Sequence, residues 1–162
     1  MQLDLRDIIN APGEAVSFDY EPDLSDAAGG CIVAVKPGAK AKGSVRNSAG
    51  VLYFEADVDA VLECACARCL KEFELPVHRH IHAVLSEGEN EDDPDVYALS
   101  GESVDVDEII LTDFILNTDQ RLLCREDCKG LCVKCGADLN AGPCRCKPET
   151  DPRLAVLEQL LE

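Results

Sequence analysis

Tryptophan is absent from this chain, methionine occurs once, and four Phe and three Tyr are its only aromatic residues. The composition fits a soluble fold with an aliphatic core, and platforms for stacking bases are scarce. Long apolar runs are missing too. Nothing approaches the ~18 residues of a membrane-spanning helix, and the opening "MQLDLRDII" is not a secretory signal. A cytoplasmic location with no membrane association is the expectation. Cations are the third shortage: 15 Lys and Arg face 32 Asp and Glu, a formal net charge of −17. That excludes tight nonspecific binding of nucleic acid by the surface as a whole. A basic protein partner suits such a field, and solubility alone explains it equally.

Residues arranged for catalysis are lacking as well. "KPGAKAKGS" does not carry the GK[ST] ending of a phosphate loop, and no Ser/His/Asp set has a recognisable context. His78, His80 and His82 share one face of one strand. Such a row can bind metal, and a solvated sheet face accounts for it as well. Lys36, Lys40, Lys42 and Arg46 form the only basic cluster this reading finds for RNA, with an ordinary turn as the plain alternative. A catalytic zinc keeps an open position, normally with His or carboxylate ligands, whereas the abundant soft ligands here are thiols. The chain reads as non-enzymatic, with no small-molecule substrate.

Cysteine is what the chain has in plenty. Six of ten lie in "LCREDCKGLCVKCGADLNAGPCRC", Leu123 to Cys146, and three more in "CACARC", Cys64 to Cys69. Reducing compartments disfavour disulfides, so CxxC spacing points to metal or redox chemistry. Tetrahedral zinc takes four soft ligands at about 2.3 Å, and a two-residue gap lets one tight turn aim two sulfurs at one ion. "CVKCG" has that form, with Gly136 available for the turn. Cys132, Cys135, Cys144 and Cys146 make a complete set in one short stretch. Cys66 and Cys69 lack local partners, and Cys124 and Cys128 are left over; together they would clamp the upstream turn to the later segment. A single site drawing on Cys66, Cys69, Cys128 and Cys132 is the alternative, as are simply reduced, exposed thiols at Cys66 and Cys69. Cys31 and Cys64 read as core packing, although Cys64 could substitute for Cys66. The expected cofactor is one or two structural zinc ions; two four-thiolate sites would move the net charge to roughly −21. The rival reading is a thiol-based redox sensor or zinc reservoir.

Periodicity supplies the frame. Ala15 to Tyr20 alternates as a strand, and "CIVAVKPGAKAKGSV" reads as strand, Pro-Gly turn, strand. In "VLYFEADVDAVLEC" one parity holds Leu52, Phe54, Ala56, Val58, Ala60 and Leu62, the pattern of a strand with one wet face. "KEFELPVHRHIHAVL" alternates again, with Leu75, Val77, Ile81, Ala83 and Leu85 on one side and Pro76 marking an edge or break. Joined by "CARC", these two form an antiparallel hairpin with thiols at its tip. "SEGENEDDPD" is an acidic loop. "SVDVDEIILTDFILNT" changes to helical period, with Val106, Ile109, Ile110 and Phe114 as its stripe and Asp105 and Glu108 to cap it. "DPRLAVLEQLL" ends the chain as a helix from Asp151.

"CARCL", "CKGLCVKCGADLN", "CRC" and "DPRLAVLEQL" together resemble the YceD family, whose members are also called large ribosomal RNA subunit accumulation proteins. Order and spacing agree from "LDLRDI" to the terminal helix, most specifically at Cys66, Cys69 and Cys128 to Asn140. The chain departs at Val133, where the family usually has proline, and at Asp138, where its usual motif is "NLN"; neither change removes a thiol. The resemblance implies a role in accumulating large-subunit ribosomal RNA. It also implies a gene neighbourhood shared with a zinc-binding ribosomal protein. In some relatives the later thiols are fewer while the CxRC pair persists, which makes Cys66 and Cys69 the older feature.

The expected fold class is α+β: an antiparallel, β-rich body with a long helix, a Cys-rich zinc-knuckle-like segment and a C-terminal helix. Its divisions are residues 1–120, 121–148 and 149–162, forming one compact domain. The expected role is a non-catalytic ribosome-biogenesis protein that holds a basic ribosomal protein or assembly factor, with contact to ribosomal RNA indirect.

Overall fold

A computed structural model describes residues 1–86, 96–119 and 121–146. The terminal helix expected from Asp151 and most of the acidic loop lie outside the described residues. In the remainder, strands β1 (Gln2–Asp4), β2 (Ala15–Tyr20), β3 (Ile32–Val35), β4 (Lys40–Ser48), β5 (Val51–Ala65), β6 (Glu72–Ser86), β7 (Val96–Ala98) and β8 (Ser103–Asp105) combine with helices α1 (Arg6–Ile9) and α2 (Val106–Asn117). The result is β-rich, with two α-helices and a short 3-10 helix, Ser25–Ala27, among the described residues. Among the described residues, no helix is long and apolar enough to cross a membrane.

Strand β5 organises everything else. Its strict alternation buries Leu52, Phe54, Ala56, Val58, Ala60, Leu62 and Cys64 on one face. β6 runs antiparallel beside it over fourteen paired positions, from Leu52↔Leu85 to Ala65↔Glu72. The expected hairpin is therefore present, its turn spanning residues 66–71. Pro76 sits opposite Val61 without breaking β6. The reason lies in the ladder: the carbonyl of Val61 accepts from the amide of Lys36 at 2.9 Å, on the other side of β5. Val61 and Pro76 thus face each other as a non-hydrogen-bonded pair, and the amide that proline lacks would point outward.

The Pro-Gly turn behaves differently from a hairpin turn. β4 pairs antiparallel with Val51 to Asp59, and β3 pairs antiparallel with Leu62 to Cys64. Both therefore lie end to end along one edge of β5, and residues 36–39 form a jog between collinear strands. β2 extends the sheet beyond β4, and β7 adds a short parallel pairing to β6 at Val84 to Ser86. Gly43 in β4 is required by close approach. A Cβ there would lie 2.3 Å from the carbonyl oxygen of Glu55 and 2.7 Å from the ring of Phe18, which stacks on Phe54 at 5.6 Å.

β1 and β8 form a separate two-stranded ribbon that feeds into α2. Asp105 caps that helix by accepting from the amide of Asp107 at 3.1 Å. Val106, Ile109, Ile110 and Phe114 are all buried against the sheet. The helix is shorter than expected, however. It has 12 residues and stops at Thr118, whose backbone is extended, because Ile115 and Leu116 are exposed and no further apolar stripe exists to bury. The buried Asn47 ties α1 to the sheet: its amide donates to the carbonyls of Ile8 and Ile9, and its oxygen accepts from Gly50.

Candidate metal centre

At the end of the β5–β6 hairpin, two groups of four cysteines assemble. In the first are Cys66, Cys69, Cys124 and Cys128, and in the second Cys132, Cys135, Cys144 and Cys146; within each group all Sγ atoms lie within 4.8 Å of one another. Cys66 and Cys128 are 3.8 Å apart and Cys69 and Cys124 are 3.7 Å apart. A tetrahedron with sulfurs about 2.3 Å from its centre has edges of about 3.8 Å, so the donors already stand where one ion would need them. Neither the mixed set with Cys132 nor a substitution by Cys64 matches these groupings. Cys64 is fully buried on the core face of β5, beside Ile32, and Cys31 lies just before β3.

Two turns with one hydrogen-bond pattern present the paired thiols. In the hairpin turn the amide of Leu70 bonds the carbonyl of Cys66, and that of Cys66 bonds Lys71. In the later segment Gly136 bonds Cys132, and Cys132 bonds Ala137. Both turns place the residue after the second cysteine in left-handed backbone, Gly136 at φ 71° and Leu70 at φ 60°. Glycine suits this conformation; leucine strains in it.

The amides exposed by these turns bias the sulfurs. Burial disfavours a thiolate at Cys66, but amides of Cys124, Cys69 and Arg68 outweigh it and lower that thiol to about 6. At Cys132 the amides of Cys135 and Lys134, then the Cys144 thiol, bring it to about 6. Cys124 is pushed up to about 12 by burial and by its neighbouring sulfurs, and Cys146 likewise by the Cys135 thiol and burial. Each group thus sets a thiol biased toward the thiolate beside one biased toward the neutral form.

Residues that periodicity and thiol spacing do not reveal hold the groups together. The amide of Ala67 bonds the carbonyl of Leu122, that of Leu131 bonds Arg68, and the Arg68 guanidinium donates to the carbonyl of Cys128 at 2.7 Å. Gly130, at φ 75°, permits this contact: a Cβ there would sit 2.8 Å from the carbonyl oxygen of Arg68. Asn140 lies in the loop of the second group yet donates to the sulfur of Cys128 in the first, at 3.5 Å. Its oxygen accepts from Lys129 and Arg125, and Asp138 accepts from both its amides. The groups also differ in exposure. Cys66 and Cys128 are buried, whereas Cys135 is open to solvent and its three partners are half-buried.

The remaining candidates lie elsewhere. His78 and His80 are on the wet face of β6, each with Nδ1 against a carboxylate of β5, Asp59 at 2.8 Å and Asp57 at 2.9 Å. The ring of His82 lies 5.9 Å from that of Tyr53. Lys40, Lys42 and Arg46 occupy the same face of β4, next to those acids. Lys42 pairs with Asp19, and Lys36 with Glu74. This is a mixed ladder rather than a basic patch. Periodicity likewise assigns no role to Arg79, which stands on the apolar parity of β6 opposite Val58 and meets Asp113 of α2 at 3.7 Å. A lone charge among the core positions of a strand was its signal.

A family profile described as large ribosomal RNA subunit accumulation protein YceD matches residues 54–161. Uncharacterized proteins of Mycobacterium tuberculosis and Mycobacterium bovis are 30% identical over 105 residues, covering 59% of this chain and 49% of each relative. The chain thus spans about half the length of the curated relatives it matches. No solved structure matches it.

Proposed function

The chain belongs to the YceD family, and on that premise we propose that it is a non-catalytic factor supporting accumulation of large-subunit ribosomal RNA, rigidified by two zinc ions. The observation carrying the metal reading is the pair of four-sulfur groups, each with all sulfurs within 4.8 Å of one another, and in the first group two separations of 3.7 and 3.8 Å that match the edge of a zinc tetrahedron. Cys66, Cys69, Cys124 and Cys128 would hold one ion, and Cys132, Cys135, Cys144 and Cys146 the other. Zinc would supply cross-linking only, since four thiolates leave no open position for a substrate. Residues 1–120 and 121–148 act as one compact unit joined by the first site, working in the cytoplasm. The acidic body, part of a chain with formal charge −17, holds a basic ribosomal protein or assembly factor through complementary fields that salt weakens.

Elemental analysis of the purified chain tests the metal, with two zinc ions expected per chain. Depleting the protein in cells tests the function: large-subunit ribosomal RNA should fall, and a Cys66→Ser/Cys69→Ser chain should fail to restore it. Unchanged ribosomal RNA on depletion sinks the proposed role. Low-salt affinity purification tests the partner; recovery of no basic protein removes the holding step.

A further inference from the structure

Charge is distributed very unevenly over this molecule. The hairpin turn, residues 66–71, contributes Arg68 and Lys71, with no acidic residue. The segment 121–146 adds Arg121, Arg125, Lys129, Lys134 and Arg145 against three acids. A fifth of the chain thus holds seven of its 15 cations and only three of its 32 acids. All seven cationic side chains are exposed. Hydrogen bonds between the turn and the segment bring them to one end of the molecule.

Of the six cations in the described body, Arg6, Lys36, Lys42 and Arg79 each meet a carboxylate, and Lys40 and Arg46 form no ion pair among the described residues. At the thiol-rich end Arg125 pairs with Asp127. Lys71, Arg121, Lys129 and Arg145 form no ion pair among the described residues, although acids outnumber bases two to one in the chain. Two filled four-thiolate sites would add about four negative charges at the sulfurs, bringing this end to neutrality beside a strongly negative body. The ammonium and guanidinium groups project into solvent, however, while Cys66 and Cys128 are buried. A polyanion approaching here meets cations first, whereas the described body carries more acids than bases.

We propose that the thiol-rich end is a docking surface for the phosphate backbone of double-helical RNA. It goes beyond the holding of a basic partner, because it uses the opposite end of the charge distribution. Neither segment contains an aromatic residue, so unpaired bases find no stacking platform, and the contact is with backbone rather than sequence. Four unpaired cations carried on separate loops suit a run of phosphates better than one carboxylate cluster. The description of the family as large ribosomal RNA subunit accumulation proteins favours RNA over an acidic protein.

Fluorescence anisotropy with a labelled RNA stem-loop is the test, using the full chain as purified with its metal. Binding should be detectable at about 50 mM salt, and log K should fall against log salt with a slope of about −3, the release expected from three or four neutralised phosphates. Lys71→Glu/Lys129→Glu/Arg145→Glu should weaken it at least about tenfold, while Lys40→Glu/Lys42→Glu/Arg46→Glu should leave it within about twofold. No binding at low salt overturns the proposal, as do equal losses in the two variants, or a single-stranded RNA that binds more tightly. A polyglutamate peptide that binds as tightly as RNA, and is lost with the first variant, assigns the surface to an acidic protein instead. Metal content and melting temperature of each preparation separate misfolding from lost contact. Capture of basic partners, measured in parallel, should be unaffected by the first variant, so the two proposals fail independently.

Discussion

Leu70 and Gly136 hold equivalent posts in the two thiol turns, and only one is glycine. Leu70 is 68% exposed, so replacing it loses little burial while relieving a left-handed backbone costing about 1 kcal/mol. Leu70→Gly should raise the melting temperature by a few degrees, read by calorimetry. Gly130→Ala should act oppositely, lowering stability by about 1–3 kcal/mol in urea titrations, because the new methyl meets the Arg68 carbonyl. Tyr20 offers a pH test. Burial, then the charge of Asp105, raises its phenol to about 12, and its hydroxyl donates to Asp107 at 2.7 Å. Below pH ~10 its contribution is complete; as pH climbs toward 12, the unfolded chain loses a proton that the folded chain keeps, so stability falls. Phenolate absorbance should show a late-titrating group that disappears in Tyr20→Phe.

Among elements, what could be read in advance was whatever depended on neighbours in sequence. The β5–β6 hairpin follows from two alternating runs on either side of a short turn, and the α2 stripe from its 3.6-residue spacing. Pairings set by distant partners were not legible. Nothing local distinguishes a Pro-Gly jog between collinear strands from a hairpin turn, and the end of α2 depends on where the sheet stops covering it. The two thiol quartets, by contrast, emerged from spacing and remainder even though Cys66 and Cys128 are 62 residues apart. Arg79 and Asp113 join β6 to α2 with the guanidinium Nε and Nη2 and the Asp113 Oδ2 buried and without hydrogen-bond partners. Asp113→Ala should cost about 2–3 kcal/mol by stranding the guanidinium. Arg79→Met/Asp113→Leu should recover most or all of it, and a double-mutant cycle measures the difference.

The whole molecule divides into a sheet that supports itself on one continuous hydrophobic core and an end with little core of its own. Chelation should accordingly unfold the second and spare the first. Hydrogen exchange should show protection lost at residues 121–146 and 66–71 but retained along β4, β5 and β6. Metal should leave in two phases, the faster from the group containing the exposed Cys135; Cys132→Ser/Cys135→Ser should abolish that phase alone. A single phase with simultaneous loss of sheet protection contradicts this division.

Among the described residues, β6 has no partner on its outer side from Glu72 to Ala83. A border this long invites a foreign strand to zip onto it. Pro76, near its middle, presents a ring where an incoming chain would seek a donor. Far from being a flaw in the hairpin, that imino acid works against edge-to-edge growth of copies into one another and leaves the wet face of the sheet open.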